Sequence, residues 1–259
     1  MSGVIFNQTD NSGILNTKHD QIPVIARNEG LVNKYISATT ADINADFLTV
    51  YNPAGQGVVL SDVNLTVDIT AAAGSHGLDT GSEAAIFYHL YVIYNGTTVN
   101  GLISAHRDTP TMPAGFTYKK YVGAVINASS NFQYFHQMGN KVIIAEVNVG
   151  SSTSTSYANK TLATTCPVTA RNISGKIFAA RNTDASSGYA FVAGTAAGQG
   201  EQNIRWLVNG GTNPGNNKNI IAPFADQLLV EDQKIYLKVD HSSSTATLYV
   251  SGYSFHGIV

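Results

Sequence analysis

Two histidines, an aspartate and a glutamate crowd one stretch of this chain, HGLDTGSEAAIFYHLYVIYN, from His76 to Asn95. Paired carboxylates such as Asp79 and Glu83 are the raw material of general acid–base catalysis. His76 and His89 add imidazoles that could ligate a metal. The spacing argues against both. His89 stands inside an apolar run, several residues from the others, and no H-E-x-x-H ligand pattern is present. GLDTGSE also has the composition of a turn: Gly77 and Gly81 tolerate positive φ, and Asp79 and Thr80 offer side-chain-to-backbone hydrogen bonds. The segment therefore reads as a structural loop feeding a core strand. Its histidine is expected to be a hydrogen-bonded core or interface residue.

Other motifs carry less. The chain holds no G-x-S-x-G elbow, no glycine-rich phosphate loop ending in Lys-Ser/Thr, and no D-x-D-x-D-G calcium loop. GTAAGQG, Gly194 to Gly200, has the glycines of a dinucleotide loop but no following helix of adequate length. The single cysteine, Cys166, lies before Pro167; a lone thiol is more often buried than nucleophilic, and one cysteine makes no intramolecular disulfide. No catalytic residue, metal ligand or cofactor site is assigned, and the chain is expected not to be an enzyme. Aromatics beside neutral polar residues are the remaining signal. NFQYFHQMGN places Phe132, Tyr134 and His136 on one face if it is a regular strand, and Phe116 lies in a Pro/Gly loop, HRDTPTMPAGF. Phe116, Tyr134 and His136 are the candidate contacts, suited to sugar stacking or equally to a subunit interface.

The elements that must position these residues are strands. Charged residues are 12% of the 259 and hydrophobic residues 43%, with Asn, Ser, Thr and Gly filling the polar share. An average domain is about 25% charged, so solvated helical faces are scarce here. In VNLTVDIT, Val63, Leu65, Val67 and Ile69 point one way and the polar residues the other, a half-buried strand. Ala85 to Tyr94 is apolar on both faces and needs cover on both, from a second sheet and from a loop, arm or neighbouring subunit. Asn95-Gly96 then signals a tight hairpin with a type I′ turn. Further strands are expected at Thr98 to Ser104, Tyr118 to Ile126, Phe132 to Gln137, Lys141 to Val149, Val168 to Ala180, Tyr189 to Gly194 and Ile204 to Val208. KIYLKVDHSSSTATLYVSGYSF reads as a closing hairpin, with Ile235, Leu237 and Val239 facing inward opposite Ala246, Leu248 and Val250. Ile221 to Val230 and Glu201 to Leu207 are the best short helix candidates.

Short strands with turn signals between them indicate an all-β chain, an antiparallel β-sandwich or jelly-roll-like fold with an irregular N-terminal arm. Residues 1–45 are assigned to that arm or docking segment, with short edge strands as the other reading. Residues 46–259 form the sandwich, divisible into 46–150 and 165–259 around the Ser/Thr-rich loop at 150–161. The formal charge of −2 and the absence of a Lys/Arg cluster remove the electrostatic footprint of nucleic-acid or acidic-membrane partners. No apolar run approaches the roughly 20 residues of a membrane helix, and the N-terminus lacks the basic and apolar regions of a secretory signal.

Residues 62–142 resemble a known pattern. VNLTVDITAAAGSHGLDTGSEAAIFYHLYVIYNGTTVNGLIS, then PTMPAGFTYKKYVGAV and NFQYFHQMGNKV, are similar to structural proteins of tailed bacteriophages and prophages, and the closing ATLYVSGY resembles them loosely. In those proteins a V-D-I-T strand precedes G-L-D-T-G-x-E, and a Tyr-rich strand ending in V-I-Y-N follows. The resemblance implies a β-sandwich virion component of head-fibre, decoration or tail-fibre type, made in the bacterial cytoplasm, and brings no catalytic residues with it. The expected partners are further copies of the chain, as a homo-oligomer with a trimer favoured, and other capsid or tail proteins. A host receptor or glycan is the alternative partner, and a polysaccharide depolymerase ranks behind both, for want of two carboxylates in an aromatic groove.

Overall fold

Alternating apolar residues fold into strands over most of the chain, because period-2 patterning can bury one face of a pleated ribbon and little else. The structure, a computed structural model, describes residues 26–181, 187–207 and 218–255. The strands are β1 (Asn28–Glu29), β2 (Val32–Tyr35), β3 (Thr40–Tyr51), β4 (Gly57–Asp68), β5 (Phe87–Tyr94), β6 (Val99–Ser104), β7 (Tyr118–Ala128), β8 (Asn131–Phe132) and β9 (Phe135–Met138). They continue with β10 (Lys141–Ser152), β11 (Ala158–Thr161), β12 (Ala170–Arg181), β13 (Ser187–Ala193), β14 (Gln202–Leu207), β15 (Lys218–Leu228), β16 (Lys234–Val239) and β17 (Ser244–Phe255). One 3-10 turn, Ala73–Ser75, is the only helical piece among the described residues.

All strand pairs are antiparallel. A 13-stranded sheet runs β15-β12-β17-β10-β9-β2-β3-β7-β5-β6, with β1 and β4 on β3 and β8 on β7; a 4-stranded sheet runs β11-β16-β13-β14. One core joins them. Ala190 and Val192 of β13 and Ile235, Leu237 and Val239 of β16 pack in the same cluster as Ile177 of β12 and Leu248 and Val250 of β17. The all-β sandwich expected from the patterning is therefore present.

Several local expectations are corrected. β16 and β17 are not a hairpin: β16 pairs with β11 and β13 in the small sheet, β17 with β10 and β12 in the large one. Their inward residues are all buried as expected, but they meet across the sandwich rather than side by side. The two helix candidates are strands β15 and β14. The Asn95-Gly96 turn has Gly96 and Thr97 at its centre, between the paired residues Tyr94 and Val99 of β5 and β6. Only Gly96 has positive φ (98°), and the Asn95 side chain accepts from the amides of Thr97 and Thr98. That is the arrangement of a type II′ rather than I′ turn. Conversely, Ser129 and Ser130 both take positive φ (54° and 58°) in the tight β7–β8 turn, where no glycine announces it.

The N-terminal arm also shrinks. Residues 28–45 lie in the large sheet: β2 pairs with both β3 and β9, and Ala41, Ile43 and Ala45 are core residues. Residues 1–25 of that segment lie outside the described residues. The suggested division near residue 150 is crossed by the long β10–β17 pairing, and β11 begins within the Ser/Thr-rich loop.

β5 is apolar on both faces, as its sequence requires. Tyr88, Leu90 and Val92 enter the main core, while Tyr91 and Ile93 join Leu102 in a second small cluster. That second face is covered from within the chain, by Met112 and Phe116 of the Pro/Gly loop and by Ala73.

Candidate functional site

The polar residues of the opening stretch are spent on structure. Asp79 Oδ2 accepts from Ser104 Oγ at 2.6 Å and from the Thr111 amide at 2.9 Å, while its Oδ1 accepts from the Thr80 amide at 2.8 Å. It thereby pins the loop before β5 to β6 and to the Pro/Gly loop. His76 Nδ1 accepts from the Gly101 amide at 3.0 Å, and partial burial lowers its pKa. Glu83 Oε1 accepts from Asn127 Nδ2 at 2.8 Å. His89 is 4% exposed, its ring 5.7 Å from that of Tyr121, and burial, with help from Arg107, pushes its pKa down to about 4. Asp79, His76 and Glu83 bond to different neighbours, and His89, expected to be hydrogen-bonded, keeps a buried Nδ1 without a partner and packs its ring near Tyr121 instead. Among the described residues, no group of three or more His, Cys, Asp and Glu side chains is placed to hold a metal ion. Cys166 is fully buried, and burial pushes its thiol up to about 12, a neutral, unreactive thiol.

The three aromatic candidates part company. Phe116 is half-buried against Tyr91, Ile93 and Leu102 and serves as cover for β5. His136 is half-buried in β9, opposite Lys34 of β2 and Ile143 of β10. Tyr134 is 55% exposed, with its ring centroid 6.1 Å from that of Tyr35. The regular alternation expected through this stretch fails, because the chain breaks between β8 and β9. Phe132 and Phe135 are both buried at 2% exposure, so Phe132 does not share a face with Tyr134.

Tyr134 stands on the wall of a groove of about 480 Å3. The groove lies between the end of β7, with Val125 and Asn127, and β10, with Ile144 and Val147; Phe87 and Tyr253 also line it. Thr164 and Thr165, from the segment after β11, close part of one side. The β10–β17 register is shifted between Ile143 and Val147, so Ile144 and Ala145, both in the lining, have no partner residue on β17. The Tyr253 hydroxyl reaches across to the Ala124 carbonyl at 3.4 Å, tying β17 to β7 beside the groove.

Asn127 is the polar residue of note here. It is 1% exposed, and its Nδ2 donates both to Glu83 and to the Ala84 carbonyl at 2.9 Å. Its Oδ1, on the other side of the amide, is buried and without a partner. No residue lining the groove carries a formal charge. Sequence reasoning found Tyr134 but not the groove, whose other walls come from segments far apart in the chain.

A second aromatic group, on the outer face of the small sheet, went unnoticed in the sequence. Phe191 stacks on Tyr189 at 5.9 Å and 19°, and Lys238 Nζ sits 4.4 Å from the Phe191 ring centre and 4.3 Å from that of Tyr157. Lys238 also lies 3.3 Å from Glu201. These rings are already stacked or capped by a cation and form a stabilising ladder rather than a free platform.

Compared with known proteins, the chain matches no family model and has no match among curated proteins.

Proposed function

We propose that this chain is a non-enzymatic structural component of a tailed-bacteriophage particle, a head-decoration, head-fibre or tail-fibre protein that assembles as a homo-oligomer, with a trimer favoured, among other capsid or tail proteins. The resemblance of residues 62–142 to such proteins supports the class. Surface chemistry supports the assembly. Met138 and Ile143 are 64% and 61% exposed, and the β9–β10 register puts them diagonally on one outward face. Ile221, Leu228 and Val230, on and just after β15, are each more than half exposed. Exposed apolar side chains in groups of this kind mark interaction surfaces, whereas scattered single ones do not.

The observation that carries the reading is the Met138–Ile143 face. The doubly apolar β5 carries none of it, because the chain covers that strand itself. Burying such a face against another copy contributes roughly 25 cal/mol per Å2 of apolar area before association costs. The edge strand β15 is a weaker candidate for strand-to-strand pairing. Pro223 removes one donor and Asp226, at φ 48°, marks a local irregularity, both devices that protect edges.

The mass of the purified full chain in solution, measured by light scattering, tests assembly; incorporation of a tagged chain into particles tests location. An oligomer that Ile143→Lys dissociates without lowering the unfolding midpoint is expected. A wild-type monomer absent from particles would overturn the proposal. Removing residues 1–25, the part of the expected docking segment outside the described residues, is expected to leave a folded chain that no longer joins particles.

A further inference from the structure

We infer that the Pro/Gly loop, residues 106–116, is an acid-released flap: a proton taken up by His89 frees it from β5 and uncovers the apolar strip Tyr91, Ile93 and Leu102. The loop belongs to no strand ladder. His106 to Thr109 and Thr111 are exposed, while Met112 and Phe116 lie half-buried over the strip. A few polar contacts fasten it. The His106 amide donates to Ser104 Oγ and the Thr111 amide to Asp79 Oδ2, both at 2.9 Å. The Tyr91 hydroxyl donates to the carbonyls of His106 and Arg107, and Lys119 Nζ to that of Asp108. A segment held in this way, with little buried apolar surface of its own, opens locally at a lower free energy than the sheet beneath it.

His89 lies beside those fastenings. It stands two residues before Tyr91, on the same face of β5. Its cross-strand partner on β6 is Ser104, whose Oγ holds the His106 amide and donates to Asp79. The ring is 4% exposed and its Nδ1 has no partner, so an imidazolium there would be dry and would lack an acceptor. The ionisable groups around it are Arg107, Asp108 and His106 of the loop, Tyr121 of β7, and Asp79 through Ser104. Asp108 is already paired with Arg107 at 3.3 Å. Swinging the loop away removes the Arg107 charge and admits water to the ring. Burial, and after it Arg107, bring the imidazole down to about 4 in the closed form. The closed form therefore keeps its full advantage above the ordinary value of 6.5 and loses it as pH falls toward about 4. Linkage between those two values multiplies the open fraction about twentyfold from pH 7 to pH 5. The flap sits on β5, apart from the Met138–Ile143 face, so it operates whether or not the chain assembles on a particle.

Amide hydrogen exchange on the full chain, read by NMR and corrected for the intrinsic pH dependence of each amide, tests the inference. Protection of the His106 and Thr111 amides is expected to fall about twentyfold from pH 7 to pH 5. Low urea is expected to leave that fall unchanged, because a local opening exposes little surface. The Asn52 amide, bonded to the Gln56 carbonyl at 3.0 Å in the β3–β4 turn, is the comparison and is expected to keep its protection. His89→Gln, neutral at every pH, is expected to hold loop protection constant over the same range. Arg107→Gln, at an exposed position, is expected to fold as the parent does and to shrink the fall, since it removes the charge facing His89. Loop protection that is the same at pH 7 and pH 5 would overturn the inference. So would an equal fall in His89→Gln, or an unaltered one in Arg107→Gln. Loop amides that exchange only together with the paired amides of β5, at the same urea dependence, would overturn it too, because the loop would then have no opening of its own.

Discussion

Replacing Gln137 by leucine probes how the two halves of the large sheet are held together. β7 pairs with β5 but skips Val122, since Leu90 opposes Gly123 and Tyr91 opposes Tyr121. Such a bulge leaves the extra residue outside the ladder. Two fully buried amides use its carbonyl: Asn33 Nδ2 of β2 donates to Val122 O at 2.9 Å and Gln137 Nε2 of β9 at 2.7 Å. Gln137 also donates to Gly139 O at 2.8 Å and accepts from Asn33 at 3.0 Å. Gly123 permits the approach, for a Cβ there would stand 2.2 Å from Gln137 Oε1. β2 and β9 are thus clamped to β7, with which neither shares a ladder. Gln137→Leu keeps the volume but removes three hydrogen bonds, each worth about 1 kcal/mol net, for an expected loss of about 3 kcal/mol. With a urea slope of about 3 kcal/mol/M, the midpoint falls by ~1 M. Because the two amides act together, Asn33→Leu combined with Gln137→Leu is expected to cost less than the two single changes summed, by about 1 kcal/mol. A loss under about 0.5 kcal/mol for Gln137→Leu, or strict additivity, would refute the clamp.

Two further outcomes follow from the polar residues of the opening stretch. The pKa of His89 is lowered in the folded chain, so its contribution to stability is complete above the unfolded value of 6.5 and is lost as pH falls toward about 4. The unfolded chain takes up the proton first, and the loss over that window reaches about 3 kcal/mol. In urea titrations at several pH values, His89→Gln is expected to flatten the acid limb by that amount, and an unchanged limb would contradict it. Asp79→Ala removes the acceptor for Ser104, Thr80 and Thr111 and is expected to cost about 2–4 kcal/mol in thermal melts, with Asp79→Asn milder. A variant as stable as the parent would mean that the carboxylate is not the structural pin described.

Much of the fold was legible in the chain itself. Strand patterning depends on the neighbours of each residue along the backbone, and so β4 could be placed from apolar alternation, and β5, β7 and β12 from short apolar stretches between turn signals. The inward residues of β16 and β17 were likewise evident. Their partners were not. A hairpin and a crossing between facing sheets demand the same buried side chains, and only the competition of β10, β12, β11 and β13 for their edges decides between them. Short apolar runs such as Ile221 to Val230 fit helix or strand equally well; pairing with β12 settles it.

The groove lay further from view. Tyr134 stood out as an aromatic among amides, but its neighbours Phe87, Ile144, Thr164 and Tyr253 come from four other segments. The amide pair Asn33 and Gln137 is separated by 104 residues. Composition and periodicity determined that this chain makes antiparallel strands with few solvated charges, because those properties act locally and at every position. Which edges pair, which carbonyls need a side-chain donor, and where an opening remains were decided only by the tertiary structure. Those depend on contacts between residues far apart in sequence, and no local pattern encodes a distance.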